Sequence, residues 1–88
     1  AAQWGLIWQC VDDGELSAVT DKLLSQLAQA PTRGLAAIKE ALQMSAGNTL
    51  VAQLDVERDL QRTLGNSDDY REGVAAFSAK RPPKFTGR

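Results

Sequence analysis

With 88 residues, ten Lys plus Arg against eleven Asp plus Glu and a net charge of −1, the chain is at most one domain and lacks the overall basic charge that nucleic-acid binding calls for. It has no histidine and a single cysteine, which excludes Ser-His-Asp and Cys-His nucleophiles, the usual His or paired-Cys metal sites and an intrachain disulfide. No apolar run approaches a bilayer span and the lone thiol fits a reducing compartment, so the reading is a cytoplasmic chain without a membrane segment.

Ala1–Trp4 read as the end of a helix, and without a start methionine the chain reads as truncated. The apolar run Gly5, Leu6, Ile7, Trp8, Gln9, Cys10, Val11 predicts one short strand. Nothing else reads as a strand, so this one is an orphan whose ladder partners lie in sequence not present here. Trp4 and Trp8 are expected in the core or against that absent part, and Cys10 as a small buried apolar residue.

Four helices follow. Asp12 and Glu15 have the spacing of a capping box, and Leu16, Val19, Leu23, Leu27 and Ala30 recur at steps of three and four. Pro31 ends that helix at Ala30 and is suited to begin the next, which puts Leu35, Ile38, Ala41 and Leu42 on one face and stops near Gly47. Asn48 or Thr49 caps a third helix with Leu50, Val51, Leu54, Leu60 and Leu64 on one side, ending at Gly65 and Asn66. Glu57 and Gln61 point into that apolar arc, and an inward carboxylate needs a partner. The fourth helix starts near Asp69, paired with Glu72 as a second capping box, and carries Tyr70, Val74 and Phe77 on one side. Gly73 in its middle costs about 1 kcal/mol relative to Ala and marks close approach of a backbone or ligand, or plain tolerance.

Beyond it Pro82 and Pro83 forbid further helix, and Lys80, Arg81, Lys84 and Arg88 gather with Phe77 and Phe85. An anion that carries a ring suits such a surface; a solvated helix end complementing the macrodipole is the plain alternative. Asp12, Glu57, Asp69 and Glu72 are the carboxylates open to acid/base work, though capping, hydrogen bonding and solvated faces account for all four.

The string Trp4, Gly5, Leu6, Ile7, Trp8, Gln9 with Val11, Asp12, Asp13 resembles the segment after the catalytic core in the enoyl-CoA hydratase/isomerase, or crotonase, superfamily. So do Leu35, Ala36, Ile38, Lys39, Ala41, Leu42 after a proline, and Glu57 with Gln61. Most specific is Asp69, Tyr70, Arg71, Glu72, Gly73, Val74, Ala75, Ala76, Phe77, then Lys80, Arg81, Pro83, Phe85, Thr86, Gly87, which is closest to the family's phenylacetate-catabolic branch.

The resemblance implies a mainly α piece: residues 1–11 as the end of a spiral core, and residues 12–88 as the C-terminal helical domain that mediates trimerisation and covers the CoA site. It implies an acyl-CoA thioester as the parent's substrate, no resident cofactor, and a homotrimer or dimer of trimers completed by an N-terminal spiral core that carries the catalytic groups. The 88-residue piece is then expected to be inactive alone, and to self-associate or stay partly mobile at residues 1–11. By position Phe77 and Lys80 match residues contacting the adenosine and phosphate portion of CoA. An aromatic face suits adenine and an ammonium suits the 3′-phosphate. The alternative from another class is an autonomous helical interaction module with no enzymatic parent.

Overall fold

A computed structural model describes all 88 residues. Two single 3₁₀ turns, Ala2–Trp4 and Asp13–Glu15, precede four α-helices: α1 (Leu16–Ala28), α2 (Thr32–Ser45), α3 (Leu50–Gly65) and α4 (Asp68–Ser78). The four expected helices are present; the expected strand is not. Residues 5–11 run through a turn and bends, with Gly5 at φ 74° and the Leu6 N–H bonded to the Ala1 carbonyl at 3.1 Å. A strand exists only by pairing, and no second extended segment in this chain offers Leu6–Val11 a ladder, so the β-branched content decides nothing there. Cys10, expected buried, is exposed, and Trp4 and Trp8, expected in the core or against the part not present here, are not in a core: no surface in this chain covers them.

The helix starts differ from expectation in informative ways. Asp12 and Glu15 close the second 3₁₀ turn through Glu15 N–H to Asp12 carbonyl, 2.9 Å, with no side-chain cap. Pro31 stands just before α2 rather than at its first position, its carbonyl accepting the Leu35 N–H at 3.1 Å. Thr49 caps α3 by accepting from the Ala52 N–H, 3.3 Å, and Ser67 caps α4 by accepting from the Tyr70 N–H, 3.1 Å. With Ser67 in the capping role, Asp69 and Glu72 are not a capping box and are free for other partners.

α2 packs on α3, and α4 on α3; α1 makes its main contacts with the turn before it. Gln53 ties the α2–α3 pair. Its Nε2 donates to the Ala41 carbonyl at 3.1 Å and to Glu57 Oε1 at 3.0 Å, and its Oε1 accepts from Asn48 Nδ2 at 3.0 Å. Glu57 therefore has its partner in Gln53, not Gln61, and it is exposed rather than buried.

The assembly is a slab, 44 × 39 × 19 Å. Its radius of gyration, 16.5 Å, exceeds the roughly 12 Å of a compact domain of this length. Its accessible surface, 7352 Å², likewise exceeds the roughly 5,000 Å² expected of a folded monomer of this mass. Only Ala37 and Ala76 are buried apolar residues, while Leu42, Leu50, Val51 and Leu54 are all more than half exposed. Apolar helix faces of this extent are built to be covered by another surface.

One region is closely tied within the chain. After α4 the backbone reverses and residues 81–88 run back along the helix, where the 5% exposed Asp69 receives them. Its two carboxylate oxygens accept from the Thr86 N–H at 2.7 Å and the Gly87 N–H at 2.8 Å, and its own N–H donates to the Arg88 carbonyl at 2.8 Å. Gly87 is required where it lies. It sits at φ 77°, and a Cβ there would stand 2.5 Å from Thr32 Oγ1 at the start of α2.

Asp69→Ala strips the Thr86 and Gly87 N–H groups of a buried, charged acceptor, a loss of about 2 kcal/mol in local stability. Amide exchange at Thr86 and Gly87, measured by mass spectrometry or NMR on the full-length protein, is expected to accelerate about 30-fold at that cost. Unchanged protection at both amides would show that the clasp contributes nothing.

Candidate functional site

The corner formed by the last turn of α4 and the returning tail gathers the residues singled out at the end of the chain. An open groove of about 410 Å³ lies beside it, lined by Pro31 just before α2, Gly34 in its first turn, Leu64 at the end of α3, Tyr70, Gly73, Val74 and Phe77 from α4, and Phe85 from the tail. The close neighbour of Gly73 is the Phe85 ring, 3.7 Å from where a Cβ would be. That accounts for the glycine with ordinary packing inside the chain. Phe77, at the groove's margin, is 87% exposed. An aromatic face left this open is available for stacking.

Helix α4 ends at Ser78, four residues before Pro82. Proline at 82 would set its ring against the carbonyl of residue 78 if the helix ran on, and it disfavours helical geometry at Arg81. The chain stops by reversing its hand: Lys80 takes φ 50°, its N–H bonds the Phe77 carbonyl at 3.2 Å, and the Arg81 N–H bonds the Ala76 carbonyl at 3.0 Å. This is a Schellman stop with lysine in the position that usually holds glycine. Phe77 and Lys80 are thus brought to one corner, joined through a backbone hydrogen bond.

Glu72 secures the other side of the reversal. Its Oε2 accepts from Arg81 Nη2 at 2.9 Å, and its Oε1 accepts from Arg81 Nη1 at 2.6 Å and from the Lys84 N–H at 2.8 Å. The Arg81 guanidinium first, then the Lys84 N–H, hold the Glu72 carboxyl down at about 2, and the guanidinium is held above its usual value in return. Two of the four carboxylates open to acid/base work are therefore engaged in holding the tail. Of the others, Asp12 accepts through its backbone in a 3₁₀ turn, and Glu57 accepts from Gln53. On α3, Arg58 with Asp55 and Asp59 forms a solvated ion network on an exposed face, worth little to stability.

The family model described as Enoyl-CoA hydratase/isomerase matches residues 1–88, the whole chain. The chain belongs to the enoyl-CoA hydratase/isomerase family. It is 54% identical over its full length to the 1,2-epoxyphenylacetyl-CoA isomerase of Escherichia coli, covering 34% of that protein. A Rhodobacter capsulatus protein assigned as an enoyl-CoA hydratase is 47% identical, again with 34% of its length covered. Among solved structures, a Mycobacterium abscessus protein assigned to enoyl-CoA hydratase/isomerase superposes with a TM-score of 0.94 at 38% identity, over all of this chain and 34% of that one. The chain thus spans about a third of the length of the relatives it matches. Membership in an enzyme family removes the alternative of a module without enzymatic relatives.

The helices of this family member were legible from periodicity, whereas the tail clasp was not. Asp69 and Glu72 sit at capping-box spacing, and nothing local signals that both instead bind residues far along the chain. For the groove the available signal was Gly73, a position without a side chain against which an aromatic packs on returning after two prolines. For Lys80 it was the Lys-Arg-Pro sequence, which demands a helix stop but offers no glycine to make it.

Because the folded Glu72 carboxyl lies below its usual value of 4.5, its contribution is complete above that value and is lost as the pH falls toward about 2. At about pH 4, where an ordinary glutamate is mostly protonated, the Lys84 amide shift in an NMR titration of the full-length protein is expected to match its neutral-pH position. A half-change near the usual glutamate value would contradict the clamp.

Proposed function

We propose that the chain is the C-terminal helical part of an acyl-CoA hydratase/isomerase of phenylacetate catabolism, acting in the cytoplasm as a homotrimer or dimer of trimers. In this reading residues 12–88 form the oligomerising and CoA-covering domain, and residues 1–11 are the end of the core that precedes it. The observation that carries it is the 54% identity to 1,2-epoxyphenylacetyl-CoA isomerase along all 88 residues. The uncovered apolar faces of α2 and α3 support a role in contacts between subunits and with the N-terminal core;.

The chemistry attributed to this chain is binding. Phe77 stacks on the adenine of the CoA moiety, and Lys80 pairs with its 3′-phosphate. Support comes from their common corner, from the exposure of the Phe77 ring and from the absence of any acidic partner for Lys80 among the ion pairs. In the whole enzyme, backbone N–H donors from the N-terminal core would stabilise the thioester oxyanion while carboxylates there move protons. Bound CoA thioester is the substrate, and no resident cofactor is invoked.

The test is a steady-state assay of the full-length enzyme with crotonyl-CoA hydration, enoyl-CoA isomerisation and 1,2-epoxyphenylacetyl-CoA isomerisation. Turnover is expected to be greatest with the epoxide, and the 88-residue chain alone is expected to turn over none. Phe77→Ala is expected to raise KM for the acyl-CoA with kcat nearly unchanged, since base–aromatic stacking is worth about 1–3 kcal/mol. Turnover by the isolated chain above background, or an unchanged KM in Phe77→Ala, would count against the reading.

A further inference from the structure

Lys80 stands at a position where a side chain is costly. A left-handed conformation, φ 50° here, disfavours any residue with a Cβ by about 1–2 kcal/mol, and glycine stops a helix in this way without that penalty. Such an outlier persists only where the surroundings over-determine it. On the helix side the Schellman bonds to Phe77 and Ala76 hold residues 80 and 81. On the tail side the residues next to the reversal are held by one carboxylate: Glu72 takes both terminal guanidinium nitrogens of Arg81 in a fork and the N–H of Lys84. Residues 81 and 84 bracket the reversal, so Glu72 fixes the chain immediately after Lys80 as the helix fixes it before.

We propose that Glu72 is a positioning residue for Lys80: through Arg81 and the Lys84 N–H it pre-sets the strained backbone from which the Lys80 ammonium meets a phosphate. This rests on the reading of Lys80 as the partner of the CoA 3′-phosphate. A lysine side chain has four rotatable bonds, and its ordering on binding subtracts from the contact it makes. Fixing the backbone under it in advance removes one part of that cost. The half-buried Glu72 side chain, 24% exposed, stays ionised, and its charge is offset by the Arg81 guanidinium with which it pairs. The second tether, Asp69 to Thr86 and Gly87, is independent of Glu72 and keeps the tail attached when Glu72 is altered.

The experiment compares the affinities of CoA and 3′-dephospho-CoA for the full-length enzyme by isothermal titration calorimetry, with kcat measured alongside. The wild type is expected to prefer CoA by about tenfold, the value of one charge-assisted phosphate contact, and Lys80→Ala is expected to reduce that preference to about one. Glu72→Gln, and Arg81→Lys as a second variant that keeps the charge but loses the fork, are each expected to weaken CoA about fivefold while 3′-dephospho-CoA affinity and kcat stay at the wild-type level.

The outcomes separate the two ideas. If the wild type does not discriminate between the ligands, Lys80 is not a phosphate partner and the underlying reading fails. If Lys80→Ala loses discrimination while Glu72→Gln and Arg81→Lys keep it, the positioning role alone is overturned. If the clamp variants weaken both ligands equally, Glu72 supports the fold generally and the positioning role is again overturned.

Discussion

Asp69 and Glu72 stand one turn apart on α4, and both reach forward to the tail. Glu72 takes Arg81 and the Lys84 N–H, and Asp69 takes the N–H groups of Thr86 and Gly87. Apart from the backbone bonds of Arg81 and Arg88 to α4, these two acceptors are what holds a segment containing two prolines that has no helix or sheet ladder of its own. With them it lies back on α4, which brings the Phe85 ring over Gly73 and Gly87 against Thr32. The groove beside Phe77, the shape of its margin and the conformation of Lys80 all follow from that return. The bonds are charge-assisted and Asp69 is itself buried, so they are less screened by water than the exposed Arg58 network on α3.

The rest of the chain is held less fully. An 88-residue sequence can close a small core, but this one spreads its helices into a layer 19 Å thick and leaves most large apolar side chains open. Gln53 shows where the internal organisation lies: one amide fastens the end of α2, the connecting turn and Glu57. That is enough to set the angle between α2 and α3 without burying either of them. A layer of this kind gains its hydrophobic stabilisation when another surface meets it, which agrees with a match covering about a third of the length of its relatives.

Sequence reading was reliable where the physics is local. Leu16, Val19, Leu23 and Leu27 repeat at helical spacing, Pro31 and Gly47 punctuate, and Thr49 caps, so the helices stood out. It failed at Leu6–Val11, where β-branched and aromatic residues suggest a strand but strand formation depends on a partner elsewhere. It also failed at Asp69 and Glu72, because the three-residue spacing that suits a capping box equally suits two side chains aimed at one returning segment. Ser67, two residues earlier, took the cap and released them. Family resemblance pointed to Phe77 and Lys80 directly. It was silent on the left-handed turn at Lys80, since no glycine or asparagine marks that position.

The two carboxylates of α4 that hold the tail contribute geometry at this end of the molecule. A carboxyl held at about 2 is ionised across the physiological range and is poorly matched to proton transfer near neutrality. Asp69 has both oxygens committed to backbone N–H groups. Neither is poised as an acid or base; each is spent on geometry. What the corner presents outward is an open aromatic ring and an ammonium on a backbone that cannot easily rearrange. Moving Lys80 away from its left-handed conformation would strain the Glu72 fork to Arg81, the next residue, as well. Rigidity supplied by two carboxylates is therefore the means by which a tail containing two prolines takes a defined course along α4.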